Sequence, residues 1–230
     1  MWLCIRRNSL WQFCLCAQHN WISLPWCYFP LVESYTCTKC TGNACQSKPE
    51  TCEASQGCFN NKQQFSPPGI SPTITQDKGC SSRACTPLSF SATVGTGWTF
   101  VYENRCCTGE QCNKADIQLS PVSKKENGIV CSACFSANGT FCTPQPLKCT
   151  GAETKCVEVI GKGVFNGVSF LTMSAMGCAT ESACNLKDIN VMQTPTNIWT
   201  YCENPISASS QLTPIISSTL TSLLLLKVLL

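Results

Sequence analysis

Cys37-Thr38-Lys39-Cys40-Thr41-Gly42-Asn43-Ala44-Cys45, continued by Cys52 and Cys58, has a counterpart in Cys131-Ser132-Ala133-Cys134, continued by Cys142, Cys149 and Cys156. The match runs on through Cys80 and Cys178, Cys85 and Cys184, and Cys106 and Cys202, with successive offsets of 94, 94, 97, 97, 98, 98, 99 and 96 residues. So constant an offset marks a duplicated module. The first copy alone goes on to Cys107 and Cys112, so the two copies hold eighteen of the 22 cysteines. Covalent cross-links, more than one large core, carry such a fold, and cysteine at this density is the mark of a disulfide scaffold.

Disulfides persist outside the cell and not in the reducing cytosol. The competing reading is a zinc protein, because Cys37-x-x-Cys40 and Cys131-x-x-Cys134 have ligand-like spacing. Neither copy has a second C-x-x-C to complete a four-thiolate cage, and the adjacent Cys106 and Cys107 suit two separate bridges better than one tetrahedral site. No βαβ pattern surrounds either C-x-x-C, which argues against a thioredoxin-type redox centre. The formal charge is only +3, charged residues are 13% of the chain, and no long basic run is present, so nothing resembles a nucleic-acid footprint. No cofactor or metal site is expected.

The residues between cysteines read as hairpins. Leu88, Phe90, Ala92 and Val94 alternate with small polar residues, Gly95-Thr96-Gly97 turns the chain, and Trp98, Phe100 and Tyr102 alternate on the way back. Val157, Val159, Gly161-Lys162-Gly163 and Asn166-Gly167 supply strands and turns in the second copy. Segments 59–79 and 157–177 are loops of equal length, twenty-one residues each. Residues 114–129 read as a polar linker with Pro121 and Asn127-Gly128, in which Lys124 and Lys125 are solvated. Units of this size are near the limit at which a core alone suffices. Each bridge adds roughly 2–4 kcal/mol by restricting the unfolded chain.

The first copy, through its Cys37-x-x-Cys40 and its closing Cys106-Cys107-x4-Cys112-Asn113, resembles the lymphocyte-antigen-6 and urokinase-receptor (LU, or three-finger) family. The implied fold is small, disulfide-rich and all-β, with two tandem three-finger domains at 35–113 and 130–205. The resemblance implies bridges 37–58, 40–45, 52–80, 85–106 and 107–112 in the first domain, joining Cys37 to Cys58, Cys40 to Cys45, Cys52 to Cys80, Cys85 to Cys106 and Cys107 to Cys112. In the second it implies Cys131–Cys156, Cys134–Cys142, Cys149–Cys178 and Cys184–Cys202. Spacing alone does not choose among so many pairings. In the family the terminal asparagine, here Asn113, ties the chain end into the disulfide hub. The second copy departs after Cys202, where Glu203-Asn204-Pro205 replaces the last two family cysteines; losing both leaves no orphan thiol.

Residues 1–34 are expected to be a leader. Arg6 and Arg7 form its basic region, and apolar stretches at Leu10–Ala17 and Trp21–Val32 follow, although the order is not that of an ordinary signal peptide. Removing them deletes Cys4, Cys14, Cys16 and Cys27, and 22 minus 4 leaves an even eighteen. Residues 206–230 are expected to be a glycosylphosphatidylinositol (GPI) signal: small residues with Ser207, Ala208 and Ser209 as attachment candidates, a Ser/Thr-rich spacer, then an apolar run from Leu220 to Leu230. That run is eleven residues, whereas a membrane-spanning helix needs about 20. Asn138-Gly139-Thr140 is the one acceptable N-glycosylation sequon, placing a glycan on Asn138.

An enzyme is not expected. His19, the single histidine, lies in the leader, no serine sits in a nucleophile elbow, and no carboxylate pair suits acid/base work. The resemblance implies a GPI-anchored binding, adhesion or receptor-like protein on the outer face of the plasma membrane, of the two-domain type found in rodent bone. Its partner would be an unknown protein ligand, with membrane contact through the GPI lipid and no nucleic acid. The alternative is a secreted inhibitor resembling the gamma-type phospholipase inhibitors. Candidate contact segments are Phe65–Ile74, stiffened by Pro67, Pro68 and Pro72, and Val164–Leu171, with Phe165, Phe170 and Leu171; packing between fingers or domains is the equal alternative for these apolar residues.

Overall fold

The computed structural model describes residues 34–137, 142–165, 168–191 and 196–205. In the first domain β1 (Tyr35–Thr41) and β2 (Glu50–Ala54) flank a single helical turn at Ala44–Ser47. The second finger is β3 (Cys58–Ser66) and β4 (Thr73–Cys80), and the third is β5 (Leu88–Val94) and β6 (Trp98–Cys107). The second domain repeats this order with β7 (Glu126–Ser136), β8 (Gln145–Thr150), β9 (Lys155–Phe165), β10 (Val168–Ala179), β11 (Ile189–Asn190) and β12 (Thr196–Glu203). All strand pairs are antiparallel, as short hairpin connections require.

The β5–β6 hairpin follows its period-two pattern. Phe90, Ala92 and Val94 are buried on one face while the residues between them are more open, and Val94 pairs with Trp98 across the turn. Gly95 and Gly97 take φ of +55° and +104°, a region that favours glycine. Phe90 stacks on Tyr102 at 5.0 Å between ring centroids.

The two domains share one sheet. Its strand order is β11-β12-β9-β10-β5-β6-β3-β4-β1-β2, with β7 joined to β10 and β8. The seam is β10 against β5, where Gly177, Cys178 and Ala179 pair with Val94, Thr93 and Ala92. The main core straddles it: Phe90, Ala92, Val94 and Tyr102 of the first domain pack with Val157, Val159, Ala175 and Ile198 of the second. Phe65, Trp98 and Phe135 form an aromatic run across the same seam, with centroid distances of 5.3 and 4.8 Å. Of the two readings open for Phe65, partner contact or packing between fingers or domains, its ring serves packing.

The expected linker 114–129 is partly ordered against the first domain. Lys78 is buried, and its Nζ donates to the carbonyl of Lys114 at 2.7 Å and to Asp116 Oδ1 at 2.7 Å. Asn60 Nδ2 holds the carbonyl of Ala115 and Lys62 Nζ that of Ile117, each at 2.8 Å, while Ile117 itself is buried. At its other end the segment is already strand: β7 begins at Glu126, paired with Thr150, four residues before the expected domain start at 130. Asn127 fixes this start by donating to the carbonyls of Gly151 and Glu153 at 3.0 Å.

Candidate binding surfaces

Nine disulfides join the nine cysteine pairs named above, with Cα–Cα distances from 4.9 to 6.1 Å. Two triplets of sulfurs, Cys58/Cys107/Cys112 and Cys131/Cys149/Cys178, lie within 4.8 Å of one another, but every member is disulfide-bonded and offers no thiolate to a metal. At the first hub Asn113 closes the domain. Its Oδ1 accepts from Thr38 N at 2.8 Å, and its Nδ2 donates to the carbonyls of Thr38 and Phe59 at 2.8 and 2.9 Å. One carboxamide thus satisfies a donor and two acceptors that burial would otherwise leave costly.

Three surfaces offer room for a partner or ligand. The tip of the second finger, residues 67–72, turns through a Pro67 carbonyl to Ile70 N hydrogen bond at 3.3 Å, and leaves Ile70 and Ile74 66% and 54% exposed. A polar cleft of about 770 Å³ on the first domain has Asn61, Gln63 and Tyr102 in its floor and Asp188 and Asn190 of the second domain at its lip. Burial raises the Tyr102 hydroxyl above its usual range, with a hydrogen bond to Asn61 opposing the shift in part. An apolar cavity of about 340 Å³ sits under the seam between Phe90, Phe135, Met173 and Ile198.

The seam carries a buried acid that no sequence signal singled out. Glu153 is 1% exposed, and its Oε1 accepts from Ser91 Oγ and Thr93 Oγ1 of the other domain at 3.1 Å each. Its Oε2 has no partner among the described residues. Burial pushes its carboxyl above the usual glutamate range, and the Thr93 and Ser91 hydroxyls pull back only part of the shift. Around it Ser91 N–H donates to Thr180 Oγ1 at 3.1 Å, Thr180 N–H donates to the Ser91 carbonyl at 3.0 Å, and Ser182 Oγ donates to the Ser89 carbonyl at 2.6 Å. This dense polar ladder binds the third finger of one domain to the β8–β9 turn and to the residues that follow β10 in the other.

Asn138, residues 1–33 of the expected leader 1–34, and Ser207, Ala208 and Ser209 lie outside the described residues, as do the side chains of 164–171. Among the described residues no helix is long and apolar enough to cross a membrane.

The sequence profile described as the u-PAR/Ly-6 domain matches residues 33–115 and again 127–208. Protein RoBo-1 of Rattus norvegicus is 44% identical over 164 residues, covering 70% of this chain and 67% of that protein. A phospholipase A2 inhibitor of the gamma type from Laticauda semifasciata is 30% identical over 154 residues, covering 65% and 84%. Ly6/PLAUR domain-containing protein 8 of Bos taurus is 29% identical over 171 residues, covering 66% and 72%. No catalytic family is indicated by any of these matches.

Proposed function

We propose that this chain, which belongs to the u-PAR/Ly-6 domain family, is a GPI-anchored extracellular binding protein that presents disulfide-braced fingers to a protein partner. The observation that carries this reading is the second-finger tip of the first domain. Ile70 and Ile74 are exposed at the end of a hairpin rooted in the hub and stiffened by Pro67, Pro68 and Pro72. Little ordering entropy is left to lose when such a tip docks, so its apolar area contributes to affinity. The mature protein retains nine bridges, a glycan on Asn138 and a lipid at Ser207, Ala208 or Ser209.

Three measurements test this reading. Phosphatidylinositol-specific phospholipase C should release the protein from expressing cells, and thiol labelling without reduction should find no free cysteine. A soluble form should stain target tissue, and the Ile70→Asp/Ile74→Asp double variant should not. Equal staining by both forms removes the finger tip from the reading. The second reading, a secreted phospholipase inhibitor, draws on the 30% identity to the Laticauda protein. Protein appearing in the medium without phospholipase C, together with dose-dependent inhibition of phospholipase A2, would favour it.

A further inference from the structure

The second domain lacks the two closing cysteines of the first, and among the described residues a groove of about 200 Å³ lies at its hub, beside Val130, Ser132, Val157, Glu158, Met176 and Tyr201. By the offsets of the repeat these residues correspond to Thr36, Thr38, Phe59, Asn60, Lys78 and Arg105. Five of those six grip the closing segment in the first domain. Gln111 N donates to the Thr36 carbonyl at 2.6 Å, Thr38 and Phe59 hold Asn113, Asn60 holds Ala115, and Lys78 holds Lys114 and Asp116. The described lining of the groove therefore matches the track that holds residues 110–116 in the first domain.

Nothing among the described residues refills it. No side chain there hydrogen-bonds to Ser132 or Val157. Asn204, which follows Cys202 where the closure would begin, instead accepts from Lys155 Nζ at 3.1 Å and is exposed. The lining has also changed character. Thr36 is replaced by Val130 and Lys78 by Met176, and Val130 and Tyr201 stand 51% and 52% exposed. Single exposed apolar residues need no explanation, but these two flank one groove. Glu158 and Glu203 add negative charge to its rim.

We infer that this groove receives an asparagine-bearing turn from a protein partner, whose carboxamide takes up the Ser132 and Val157 main-chain groups as Asn113 takes up those of Thr38 and Phe59. The template is in the same chain. An asparagine supplies both the acceptor and the donors that the track requires. Apolar atoms of the turn lie against Met176 and Tyr201, and a Lys or Arg next to the asparagine faces the acidic rim, as Lys114 follows Asn113 in the template. The site is at the hub and is independent of the proposed finger contacts.

The probe is an eight-residue peptide of the sequence Cys107–Lys114, closed by its own disulfide and titrated against the full chain by fluorescence anisotropy. It should bind, and the peptide with Asn113→Ala should bind at least about tenfold more weakly, since two or three hydrogen bonds worth about 1 kcal/mol each are lost. A chain in which Cys107–Asn113 is grafted after Cys202 should lose the binding, while the Ile70→Asp/Ile74→Asp variant should keep it. Equal binding of the two peptides overturns the proposal, because the groove would then be merely sticky. Absence of binding overturns it as well. Binding that appears only in a chain ended after Pro205 also overturns it, because the chain's own residues from 206 onward would then be the occupant.

Discussion

Replacing Gly177 by alanine tests whether the two domains are one body. Gly177 pairs with Val94 across the seam, and a Cβ built on it would lie 2.1 Å from the Thr93 carbonyl oxygen and 2.7 Å from Val94 Cα. Both are main-chain atoms of the opposing strand and cannot swing aside. Ordinary contact begins near 3.4 Å, so β10 and β5 must part by 3.4 minus 2.1, or 1.3 Å. That separation breaks the Gly95 N–H to Met176 carbonyl bond at 3.2 Å and two Thr180–Ser91 hydrogen bonds, Thr180 N–H to the Ser91 carbonyl and Ser91 N–H to Thr180 Oγ1, and it pulls Trp98 off Phe135. Three hydrogen bonds and one aromatic pair, at about 1 kcal/mol each, amount to roughly 4 kcal/mol. Stiffening of the unfolded chain by alanine offsets about 0.4–1 kcal/mol of this. A net loss of about 3 kcal/mol corresponds to roughly a hundredfold faster opening. Hydrogen exchange at Gly95 and Thr180 should accelerate by that factor while amides at the disulfide hubs keep their protection. Gly79 is the control, 98 residues earlier in the repeat: its added Cβ would meet only the Phe59 ring, at 3.0 Å, and a ring can shift. If Gly177→Ala leaves exchange at the seam unchanged, the shared sheet is not what joins the domains.

Asn113→Ala should destabilise the first domain by about 3 kcal/mol, because it strands the Thr38 and Phe59 main-chain groups; urea unfolding with the bridges intact measures it. Glu153 has a folded-state carboxyl raised above its unfolded value, so its contribution is fully present below the unfolded value and is lost as pH rises through the folded one. Unfolding midpoints of the wild type should therefore fall over that interval, and Glu153→Gln should flatten the profile. Asp116 behaves oppositely. The Lys78 hydrogen bond holds its carboxyl below the usual range, so the tether is present above the unfolded value and lost as acid protonates it. Lys78→Met, which installs the residue found at the matching position of the second domain, should free residues 114–117 and raise their hydrogen exchange without altering the disulfides.

What the sequence revealed and what it hid divide along a physical line. Cysteine spacing and period-two alternation are local, and they identified the strands of the third finger and the repeat itself. Burial partners are not local. Ala92 and Val94 read as the inner face of their own hairpin, and they do line it, but what they pack against comes from the other domain, between Val157 and Ile198. Gly177 and Glu153 carry no pattern at all; one matters for the atom it lacks, the other for the domain that surrounds it. The stretch 114–117 read as part of a polar linker because polar segments are usually solvated, whereas here the buried Lys78 spans the gap and caps three oxygens. Trp199 echoes Trp98 in sequence but not in role. Trp98 stacks across the seam, whereas Trp199 lies under Lys162, 4.8 Å from its Nζ.

The seam also sets a timetable for biosynthesis. A ribosome finishes Phe90, Ala92 and Val94 well before it reaches Ala175 and Ala179, which cover them. The amino-terminal module therefore waits with a greasy flank bare, closed by its own bridges yet unable to shield itself. During that interval it is open to capture by a chaperone or by a neighbouring nascent copy, and a polypeptide truncated after Asn113 would carry the same bare flank permanently.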